Sequence, residues 1–128
     1  MPKKTLQVID AGYRCTIEEQ DDPAIWITGA MKGAGGDLSL LLCGNAVNYA
    51  VRGQDASGLS FGGRKQTQPP RVDADLTKLM SKGVAVYVVQ EDAVERGIET
   101  GELIDGLERI PRAGIAKLFA GFDQVWHW

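Results

Sequence analysis

Cysteine and histidine are nearly absent from this 128-residue chain, which holds two of the first, Cys15 and Cys43, and one of the second, His127. Two cysteines are too few for a disulfide framework, and in a reducing compartment they stay thiols. Three scattered ligands without metal-site spacing exclude a zinc centre of the usual kind, so no metal is expected. No apolar run approaches the roughly 20 residues that span a bilayer, and the membrane is not expected as a partner. Excess charge of one sign is also missing: the net charge is -3, and without a concentrated basic surface nucleic acid is not expected as the main partner. There is no Gly-x-Ser-x-Gly elbow, and no histidine near a candidate nucleophile. Gly62-Gly63-Arg64-Lys65 resembles an anion-binding turn but lacks the spacing of a phosphate loop, and no cofactor is expected. The N-terminal Met1-Pro2-Lys3-Lys4-Thr5 leads into a strand without a signal-peptide core, so a cytoplasmic protein is expected.

What remains is an ordinary globular composition, 44% hydrophobic and 24% charged, of a length that suits one domain over residues 1–128. The organising stretch is Leu38 to Arg52. Leu40-Leu41-Leu42 reads as a strand buried on both faces. Past Gly44, the apolar Ala46, Val47, Ala50 and Val51 recur at helical spacing. Cys43 therefore stands between a strand's carboxyl end and a helix start, where ligands and chemistry collect in open α/β sheets.

The rest builds a sheet around that unit. Leu6-Gln7-Val8-Ile9 reads as the first strand, and Asp10 to Cys15 as the loop at its carboxyl end. Asp22-Pro23 is an N-cap carboxylate followed by proline at the first helical position. The helix it opens carries Ile25, Trp26, Ile27, Ala30 and Met31, and stops in the glycines after Lys32. The acidic run before it, Glu18 to Asp22, suits the dipole of a solvated helix entrance. Gly53 to Arg71 has no sustained periodicity and is long for a connection, so it reads as a surface loop, a lid or an oligomer contact. Asp73 to Lys82 is helical, with Leu76, Leu79 and Met80 inward and Gly83 as its stop. Val84 to Val89 is a β-branched strand. A short helix from Gln90 ends at Arg96-Gly97, Leu107 to Ile110 can form an edge strand, and Arg112 to Gly121 is helical. Gln124-Val125-Trp126-His127-Trp128 closes the chain as an aromatic strand. This alternation predicts a three-layer α/β/α domain with a mostly parallel sheet.

Four segments carry a resemblance: Leu40-Leu41-Leu42-Cys43-Gly44-Asn45-Ala46-Val47, Gly83-Val84-Ala85-Val86-Tyr87-Val88, Glu95-Arg96-Gly97-Ile98 and Phe122-Asp123-Gln124-Val125. In order and spacing the chain resembles the DsrE/DsrF-like family of small sulfur-trafficking proteins over nearly its whole length. The resemblance implies a five-stranded parallel sheet whose first three strands are neighbours, assembly into homo-oligomers (trimers or hexamers), and sulfur-relay partner proteins. Sulfur-transferring members carry a reactive cysteine just after the third strand, and the matching position here is Val89, flanked by Gln90 and Glu91. None of these can hold a persulfide.

Two functions stay open. One is a non-catalytic, oligomeric binding or accessory module, whose pocket at the strand carboxyl ends is lined by Tyr13, Asn45, Val89 and Gln90. The other is a persulfide carrier using Cys43, with or without Cys15, because a helix N-terminus and a nearby cation such as Arg14 favour a thiolate. Against it, Cys43 at the end of a leucine run can be a small buried hydrophobe. Asp10 and Glu91 could meet at the same edge as an acid/base pair, whereas nothing in the sequence supplies a partner for His127.

Overall fold

In the computed structural model, which describes residues 2–14 and 21–128, five parallel strands form one sheet. Their order is β6-β5-β2-β1-β7, with β1 at Lys4–Ile9, β2 at Asp37–Leu42, β5 at Ala85–Val89, β6 at Glu108–Ile110 and β7 at Gln124–His127. The three long apolar strands are the central neighbours β5-β2-β1, as expected. The short β6 and the aromatic β7 are the edges.

Strand pleating divides the core in two. Ile9, Leu40, Leu42, Val86 and Val88 face one side and pack with α1 (Pro23–Gly33), α2 (Val72–Ser81) and the segment after Cys43. Leu6, Val8, Leu41 and Val89 face the other, where Ile115, Leu118 and Phe119 of α4 (Ile115–Ala120) and the following Phe122 cover them. No residue of α4 is fully buried, so this second layer is the thinner one.

The helix starts and stops follow local chemistry. Asp22 caps α1 through its Oδ1, which accepts from the N–H of Ala24 at 2.8 Å and of Ile25 at 3.3 Å. Gly83, at φ +92, turns the chain after α2 in a conformation that only glycine takes without strain. Of the apolar residues on α1, Trp26 is exposed, and Ala24, Ile25 and Thr28 form the buried face.

Two further expectations are corrected. Gly44–Ala50 is a 3-10 helix, not an α-helix. Its tighter turn buries Ala46, Val47, Tyr49 and Ala50 together, while Val51 lies beyond its end. The Gly53 to Arg71 connection is not wholly irregular. It contains a hairpin of β3 (Ser60–Phe61) and β4 (Arg64–Lys65), turned by Gly62 and Gly63 at φ +53 and +80. Two successive positive φ values are those of a tight hairpin turn, which explains the Gly-Gly pair. The remaining helix, α3, spans Gln90–Glu95 and follows β5 without a break.

Candidate functional site

Register brings the site together. Ile9 pairs with Leu42 and Leu42 with Val88, so the next residues, Asp10, Cys43 and Val89, stand level at the carboxyl edge. Val8 pairs with His127, and Val89 with Ile110, which adds His127 on one flank and Arg112 on the other.

Cys43 lies in the middle. Its N–H donates to Ile9 O at 3.0 Å, and its Sγ approaches the same carbonyl at 3.7 Å. The side chain is half-buried, and its pKa is pushed up to about 11, first by desolvation and then by the carboxylates of Asp10 and Asp92. The helix-terminus effect that would oppose this is missing for a structural reason. The first N–H of the 3-10 helix, on Gly44, donates to Asp92 Oδ2 at 2.7 Å. A carboxylate thus occupies that donor at the start of the turn.

Asp92 is the hub of this edge. It is nearly buried, which favours its neutral form. The Gly44 N–H and the Arg112 guanidinium outweigh that and hold its carboxyl below the ordinary range. Arg112 Nη2 reaches Asp92 Oδ1 at 2.5 Å and Glu95 Oε1 at 3.1 Å, and these two carboxylates raise the guanidinium's own pKa. The backbone N–H of Arg112 donates to both oxygens of Glu91, at 2.9 and 3.0 Å. Arg96 completes the network by donating to Asn45 Oδ1 at 3.0 Å and to the carbonyl of Asp92 at 3.1 Å.

On the other flank, His127 Nε2 lies 2.8 Å from Asp10 Oδ2. The edge strand β7 thus delivers the partner that nothing in the sequence supplied. The Asp10–Glu91 pair does not form among the described residues, since Asp10 takes His127 and Glu91 takes the Arg112 backbone.

The loop after β1 closes the top. Tyr13 is exposed, at φ +59, with its hydroxyl donating to Gln54 Oε1 at 2.8 Å and its ring edge-on to Tyr49 at 5.4 Å. Gly12 approaches the Asn45 backbone so closely that a Cβ there would lie 2.9 Å from its carbonyl oxygen.

Of the expected pocket residues, Tyr13, Asn45 and Gln90 are exposed at this edge. Val89 is not: it is fully buried in the second core cluster and lines nothing open. Its side chain points into the sheet's thinly covered face, which is why an apolar residue suits it. Cys15 lies outside the described residues. Sequence reasoning missed Asp92, Arg96 and Arg112 as members of the site. The available signal was their type: three charged residues just after the third and fourth strands of a parallel sheet. No group of His, Cys, Asp and Glu among the described residues has the geometry to hold a metal ion. No helix among them is long and apolar enough to cross a membrane.

No family model matches the chain, and no curated protein matches its sequence. Solved structures do match its fold. The ychN protein from E. coli superimposes with a TM-score of 0.76 at 23% identity, covering 98% of this chain and 99% of that one. MTH1491 from Methanobacterium thermoautotrophicum, described as a protein of unknown function, gives 0.65 at 13% identity, over 97% and 98% of the two chains. The architecture is therefore a known α/β fold, matched end to end.

Proposed function

We propose that this protein is a DsrE/DsrF-like accessory module of intracellular sulfur metabolism, acting in the cytoplasm. It works as a homo-oligomer, a trimer or hexamer, that binds a sulfur-relay partner protein or a small ligand at the carboxyl edge and does not itself carry persulfide. The observation that carries this reading is the electrostatic setting of Cys43. Half-buried, and with the carboxylates of Asp10 and Asp92 beside it, the sulfur is held as a thiol, whereas sulfur transfer needs a thiolate nucleophile. Val89 supports the same conclusion, since the position of the usual acceptor is apolar and buried.

The test is intact-protein and peptide mass spectrometry after native protein is incubated with a low-molecular-weight persulfide donor. The expected result is no added sulfur on Cys43 until the chain is unfolded. Stoichiometric persulfide on the native protein, lost in Cys43→Ser, would overturn the proposal and establish the persulfide carrier instead. Its loss in Cys15→Ser would do the same for the other thiol.

A further inference from the structure

The hairpin β3–β4 is built as an arm. Every residue from Asp55 to Lys65 is exposed, and a two-stranded ribbon of this length is not stable by itself in water. Leu59 and Phe61, at 49% and 64% exposure, nevertheless point apolar side chains into solvent two residues apart, hence on one face of the ribbon. Just beyond them stand Arg64 and Lys65. The connection 53–71 holds three cations against the single carboxylate Asp55, a net charge of +2. The chain as a whole carries -3, which leaves -5 on the rest.

A complementary surface lies on the same protein. A concavity of about 390 Å³ opens beside α3, lined by Gln90, Glu91, Val94, Glu95 and Pro111. Val94, 67% exposed, is part of its lining. The lining is acidic: Glu91 and Glu95 both draw on Arg112, Glu95 through the guanidinium and Glu91 through the backbone N–H. Arm and concavity are both open within one protomer, so neither is engaged there.

We propose that the arm of one copy docks in the α3 concavity of a second copy, with Phe61 against Val94 and Pro111 and with Arg64 and Lys65 over Glu91 and Glu95. An aromatic knob in an apolar recess is the usual anchor of an interface, and the opposite charges around it set orientation. The contact is heterologous, since arm and concavity are different surfaces, and such a contact closes into a ring where its rotation matches a cyclic symmetry, as the trimer proposed above requires. The concavity begins at Gln90 and Glu91, so the neighbour's Phe61 forms one wall of the carboxyl-edge site. Each site is then completed by a second chain. The arm's root already touches that site, through the hydrogen bond from Tyr13 to Gln54. This inference rests on the oligomeric part of the reading above and is independent of its thiol chemistry.

Sedimentation velocity of the full chain at micromolar concentration tests it. The wild type should be oligomeric, whereas Phe61→Ser and Val94→Asp, both exposed positions that should leave the circular dichroism unchanged, should each sediment as monomers. Mixed in equal amounts, the two variants should form a heterodimer through the one intact arm and the one intact concavity. Assemblies untouched by either variant, or a mixture that stays monomeric, would overturn this contact and leave the persulfide result unaffected. A monomeric wild type would overturn the contact and the oligomeric reading together.

Discussion

Removing one oxygen atom, in Tyr49→Phe, should have an effect far beyond its size. The Tyr49 hydroxyl donates to Asp22 Oδ2 at 2.5 Å and accepts from the Arg14 N–H at 3.0 Å. Both Tyr49 and Asp22 are fully buried, and the other oxygen of Asp22 caps α1. One hydroxyl therefore joins the 3-10 helix after Cys43, the entrance of α1 and the loop beyond β1. The phenyl ring of the variant fills the same space, so no cavity term arises. A hydrogen bond to a charged group is worth about 1.5–3 kcal/mol and the bond from Arg14 about 1 kcal/mol. The expected loss is therefore about 2.5–4 kcal/mol. Urea unfolding should show it as a lower midpoint at constant m, and heating as a fall in Tm of roughly 10 °C. Tyr13→Phe is the control, since it removes an exposed hydroxyl bonded to Gln54 and should cost less than about 0.5 kcal/mol. A loss below about 1 kcal/mol in Tyr49→Phe, or equal losses in the two variants, would refute the argument from burial.

Three further outcomes follow from other residues. Asp75 on α2 has its pKa raised to about 6 by burial and then by Asp21. A carboxyl whose folded pKa is raised contributes its full stability below the unfolded pKa, near 3.8, and loses it as pH climbs through about 6. Asp75→Asn should therefore gain about 1 kcal/mol at pH 8, after allowing for solvent screening of a half-exposed group, and gain nothing at pH 4; equal gains in thermal melts at both pH values would contradict this. Gln66 has both polar side-chain atoms buried without a hydrogen-bond partner, so Gln66→Met, which keeps the shape, should raise stability by about 1 kcal/mol in urea titrations. With a thiol pKa of about 11 against 9.0 for an unperturbed thiol, native Cys43 should alkylate roughly 100-fold slower at pH 8 than in the unfolded chain, read peptide by peptide; a native rate at or above the unfolded one would show an activated thiolate.

Much of the sheet was legible because its signals are local. Leu40-Leu41-Leu42 and Val84 to Val89 are apolar on both faces, as central parallel strands must be, and Asp22-Pro23 and Gly83 mark helix boundaries by their own backbone chemistry. The hairpin at 60–65 carried a fair signal in Gly62-Gly63, weakened by strands only two residues long. The segment after Cys43 misled because Ala46, Val47, Ala50 and Val51 fit a period of 3.6, while the observed burial of Ala46, Val47, Tyr49 and Ala50 follows the tighter turn. Asn48 helps to hold that turn, since its Nδ2 donates to Asn45 O at 2.9 Å and offers the backbone a local alternative to the α-helical ladder.

The site was harder to read because its chemistry is set by contacts across long stretches of chain. Position alone puts Cys43 between a strand and a helical turn, and that much is correct. Whether such a sulfur is a nucleophile depends on what receives the first N–H of the turn and on the sign of the nearest charges. Asp92 receives that N–H, from 48 residues away, and with Asp10 it sets the sign of the charges beside a sulfur already desolvated by burial. It reaches Gly44 because Leu42 and Val88 are in register, and because α3 follows β5 immediately, so that its first turn leans over the edge. Arg112 then anchors Asp92 from beyond the edge strand β6, which keeps it ionised despite its burial. The first N–H of the turn after Cys43 here binds a carboxylate. A cation-rich edge and an acidic one can share every strand of this fold, and the difference lies in a few side chains that follow β5 and β6. The thiol's chemistry is therefore a property of the assembled edge, to which Cys43 contributes only the sulfur.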